Sequence, residues 1–122
     1  MDVGAALQSP GVVAAFSGRD LADKLGSMPC VWPVTDDIVM PPHPPLAVDE
    51  VRYVGDAVAV VVAESRYQAA DAAEAVEVDY EPLPAVVDVE AALADGAPLV
   101  HSESGTNRCY VWPLESGDYA AA

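Results

Sequence analysis

Seven apolar residues in a row, Ala57-Val58-Ala59-Val60-Val61-Val62-Ala63, form the longest apolar run of the chain. The run falls far short of the roughly 20 residues that a membrane-spanning helix needs. Its valines favour an extended backbone, whose side chains alternate between faces. Because both sets of side chains are apolar, the run predicts a central strand covered on both sides. Ahead of it, Val51-Arg52-Tyr53-Val54 and the Gly55-Asp56 pair predict a second strand and a tight turn. Behind it, Ser65 and Gln68 stand at capping-box spacing, so a helix is expected from there to about Ala75, with Ala69, Ala72, Ala73 and Val76 on one face. Val76-Glu77-Val78-Asp79-Tyr80 then alternates with period two, as a half-exposed strand does. Strand, helix and strand over 57–80 make a βαβ unit, which favours a right-handed crossover with both strands parallel if they share a sheet.

Upstream, Asp2 to Gln8 predicts a short helix stopped before Ser9-Pro10-Gly11, and Val12 to Phe16 a strand. Leu21, Ala22 and Leu25 make one face of about two helical turns that Gly26 ends. Between Pro29 and Pro45 there are six prolines, at 29, 33, 41, 42, 44 and 45. Proline lacks the amide that a ladder requires, so this stretch is expected to be a long loop, with Trp32, Ile38, Val39 and Met40 packing against something. Ala85 to Val87 continues as extended chain, and Val89 to Ala94 predicts a short helix closed by Asp95-Gly96. The fold class expected is α+β, with a mixed sheet and helices packed on it.

At 122 residues the chain has the size of one domain. Its formal charge of −15 comes from 20 acidic residues against Arg19, Lys24, Arg52, Arg66 and Arg108, and those five are scattered. Such a surface repels nucleic acid and anionic membranes, so neither is expected as a partner. The acids lack calcium-loop spacing and read as a solvated face. The residues after Met1 show neither a secretory signal nor a transit peptide, which points to a cytoplasmic location. Cys30 and Cys109 lie far apart and are expected to be reduced thiols.

No constellation carries chemistry by itself. His43 lies among prolines, and His101 precedes Ser102-Glu103-Ser104-Gly105, where neighbouring side chains of an extended segment diverge. Two histidines and two cysteines without C-x-x-C or H-x-x-x-H spacing do not make a metal site. Gly55-Asp56 puts an acid where a phosphate loop needs amides and a cation. No catalytic, cofactor-binding or metal-binding residue is assigned.

From Val51 to Ser65 (VRYVGDAVAVVVAES), then Ala69-Ala70-Asp71-Ala72-Ala73, then Val76 to Val86 (VEVDYEPLPAV), the chain closely resembles the a/b hammerhead domain of molybdenum hydroxylase large subunits. That group contains xanthine dehydrogenase, aldehyde oxidase and carbon monoxide dehydrogenase. The likeness continues through Gly96-Ala97-Pro98-Leu99-Val100-His101 and Thr106-Asn107 to Gly117-Asp118, and upstream through Pro10-Gly11-Val12-Val13 and Gly18-Arg19-Asp20. Pro41-Pro42-His43-Pro44-Pro45-Leu46-Ala47 looks most like the carbon monoxide dehydrogenase type.

The resemblance implies that residues 1–122 are one hammerhead domain, lacking its first strands and ending at the junction to molybdopterin-binding domains. It also implies a parent oxidoreductase that uses molybdopterin, with iron-sulfur and FAD on partner domains or subunits. The expected partners are those molybdopterin-binding domains and iron-sulfur and flavin subunits, together with a homo-oligomer. On this reading the isolated chain is inactive and binds no cofactor. The alternative is a free-standing interaction module that reuses the fold without redox chemistry.

Overall fold

In the computed structural model, which describes residues 1–118, β1 (Val12–Ser17) pairs antiparallel with β2 (Ala59–Ala63). Ala15 stands opposite Val61 and Phe16 opposite Val60, and a bulge at Val13 shifts the register between Val12 and Ala14. Among the described residues these two strands are the whole sheet. The α+β class holds, but the mixed sheet and its parallel βαβ pair do not. The 76–80 stretch contributes only an isolated antiparallel bridge, Glu77 with Asp2.

The predicted hairpin is also replaced, and for a local reason. The Asp56 carboxylate accepts the Arg52 amide at 2.9 Å, and the Asp56 amide donates to the Tyr53 carbonyl at 3.2 Å. Residues 52–56 therefore close on themselves around Gly55, whose φ of 99° suits only glycine. The amide of Ala47 donates to the Ala57 carbonyl at 2.7 Å.

The chain divides into two units. The first comprises Met1–Pro29 and Pro42–Pro84. Here α1 (Gly4–Leu7), β1 and α3 (Arg66–Glu74) bring together Ala6, Ala15 and Ala72, with Val3, Val12, Val61 and Val76 around them. Three methyl groups at the centre let the helices lie close on the sheet, as the alanine face of the predicted helix anticipates. Ser65 caps α3, its oxygen accepting the Gln68 amide at 3.3 Å while its hydroxyl donates to the Gln68 side chain at 2.8 Å. The short α2 (Gly18–Leu21) begins where a side chain cannot fit, since a Cβ on Gly18 would lie 2.0 Å from the Ala47 carbonyl oxygen.

The second unit comprises Cys30–Pro41 and the residues from Ala85 onward. It holds two 3-10 turns, Ala91–Leu93 and Ser102–Ser104, and none of its described residues is buried. Its segments are tied by hydrogen bonds. The Asn107 side chain accepts the Val100 amide at 2.9 Å and donates to the carbonyls of Ala92 at 3.0 Å and Pro98 at 2.8 Å. The Val39 amide reaches the Cys109 carbonyl at 2.8 Å, joining the proline-rich stretch to the later segment.

Candidate functional site

The side chains that could carry chemistry are dispersed. In the first unit the His43 ring stacks on Tyr53 with centroids 6.2 Å apart, and its backbone amide donates to the Ser27 hydroxyl at 2.6 Å. In the second unit His101 meets Glu103 at 3.3 Å. Cys30 and Cys109 are free thiols, both exposed. Among the described residues no three His, Cys, Asp or Glu side chains converge on a point that could hold a metal ion.

One carboxylate departs from its ordinary ionisation. Asp20 accepts the Ser17 hydroxyl at 2.7 Å and the Ser17 amide at 2.8 Å. These bonds, the hydroxyl's first, hold its pKa below the usual carboxylate value, with Lys24 adding a smaller pull. The arrangement starts α2 as a capping box. Arg19 reaches Asp49 and Arg52 reaches Glu50. Two shallow recesses lie in the first unit, an acidic one lined by Asp2, Glu77 and Asp79, and an apolar one between Leu21, Leu25, Pro45, Leu46 and Val48.

The prominent feature is a surface. The helices cover one side of the β1–β2 pair, where Ala15 and Val61 point; Ala14, Phe16, Val60 and Val62 point the other way. Val60 remains 38% exposed and Val62 46%, and the bulged Val13 is 69% exposed. The run at 57–63 is thus covered on one face and open on the other, which corrects the expectation of a strand buried on both. Sequence reasoning missed this surface because an uninterrupted apolar run reads the same whether its second cover belongs to the chain or to a partner.

Residues 1–84 match the family described as the aldehyde oxidase and xanthine dehydrogenase a/b hammerhead domain. The chain belongs to that family. The expected likeness to carbon monoxide dehydrogenase large chains is present: the hammerhead chain is 40% identical, over 104 residues, to the large chain of that enzyme from Afipia carboxidovorans. It is 35% identical over 94 residues to the xanthine dehydrogenase molybdenum-binding subunit of Escherichia coli O157:H7. These alignments take in 84% and 76% of the hammerhead chain, but it spans only 12% of the length of either relative. In structure it is similar to quinoline 2-oxidoreductase from Pseudomonas putida 86, with a TM-score of 0.70 at 41% identity, over 75% of this chain and 12% of that one. Among the described residues no helix is long and apolar enough to cross a membrane.

Proposed function

We propose that the chain is a non-catalytic scaffold domain of a molybdopterin-dependent hydroxylase large subunit, working in the cytoplasm. One observation carries this reading. The likeness runs through 84% of this chain yet takes in 12% of a carbon monoxide dehydrogenase large chain, so most of such an enzyme would lie elsewhere in the polypeptide. The parent reaction is hydroxylation with oxygen from water, with electrons leaving through iron-sulfur and flavin partners.

The residues present do not fit a molybdopterin. Its phosphate calls for amides and cations, whereas the recess at Met1 and Asp2 is lined by Glu77 and Asp79, and Arg19 and Arg52 already face carboxylates.

The test replaces the matching segment of the Afipia carboxidovorans large chain with this one. Retained molybdenum content and carbon monoxide oxidation in the hybrid, together with no molybdenum, iron or flavin in the isolated chain by elemental analysis and absorbance, are the expected results. Stoichiometric metal in the isolated chain would overturn the non-catalytic assignment. A stable isolated chain whose hybrid never assembles would favour the free-standing interaction module.

A further inference from the structure

We draw no further inference here: the strongest candidate, the exposed apolar side chains that the second unit carries on its proline-rich stretch and its later segment (Val31, Trp32, Tyr110, Val111, Trp112 and Leu114), is an unpartnered surface, and nothing in the structure shows what covers it.

Discussion

The two units are held together by different physics. The first, Met1–Pro29 with Pro42–Pro84, draws its side chains inward, and Ala6 and Ala72 are fully buried. The second contains no buried residue among those described and relies on directed bonds from Asn107 to three backbone groups. Apolar packing is insensitive to direction but intolerant of volume, since a filled interior has nowhere to put an extra atom. A hydrogen-bonded loop is the reverse, tolerating changes of bulk on its exposed side chains and failing when one donor or acceptor is removed.

This contrast can be broken most severely at Gly18. A valine there would drive its Cβ into the Ala47 carbonyl, and because the obstacle is backbone, the expected loss is about 3 kcal/mol or more of unfolding free energy, read as a lowered denaturant midpoint. A near-normal midpoint would show that the approach of 18 to 47 is not fixed by packing. Next in size is a pair on neighbouring positions of β2. Val61→Asp puts a carboxylate against the alanine cluster and should cost about 3 kcal/mol, whereas Val60→Asp on the open face should cost under about 1 kcal/mol. Equal losses would mean that both faces are covered.

In the second unit, Asn107→Ala removes the side-chain bonds to the Val100 amide and to the Ala92 and Pro98 carbonyls. The expected cost is about 1 to 3 kcal/mol, read as faster hydrogen exchange at Val100 with the amides of β2 unchanged. Exchange rising in both places would erase the distinction between the units. The smallest effect concerns acid. Because the folded pKa of Asp20 is depressed, its contribution is present above the ordinary carboxylate pKa and is lost as pH falls through the folded value. Melting curves of wild type and Asp20→Asn should differ slightly at pH 6 and converge in strong acid. A constant gap would remove the Ser17 bonds as the cause.

Sequence made the local elements legible and left their pairing obscure. The strand at Val12–Phe16, the cap at Ser65, the alanine face of α3 and the irregular proline stretch all follow from backbone preferences that act within a few residues. The partner of β2 does not. Gly55-Asp56 satisfies hairpin and closed-loop readings equally, and only the side chain of Asp56 taking the Arg52 amide decides between them. Residues 76–80 alternate without forming a strand because alternation marks a solvent boundary, which Val76 and Glu77 meet beside α3 with only an isolated bridge. For the site, the family was readable from motif order alone, while the open sheet face emerges only from the register that places Val60 and Val62 on one side and Val61 on the other.

The alanine centre of the first unit has a calorimetric consequence. No large side chain among the described residues is fully buried, so melting this unit uncovers little apolar area beyond what water already touches. The heat-capacity step and the denaturant slope both scale with newly exposed area and should be small for a chain of this length. A small step flattens the curve of stability against temperature. The stability of the chain would then change little between cold and warm conditions.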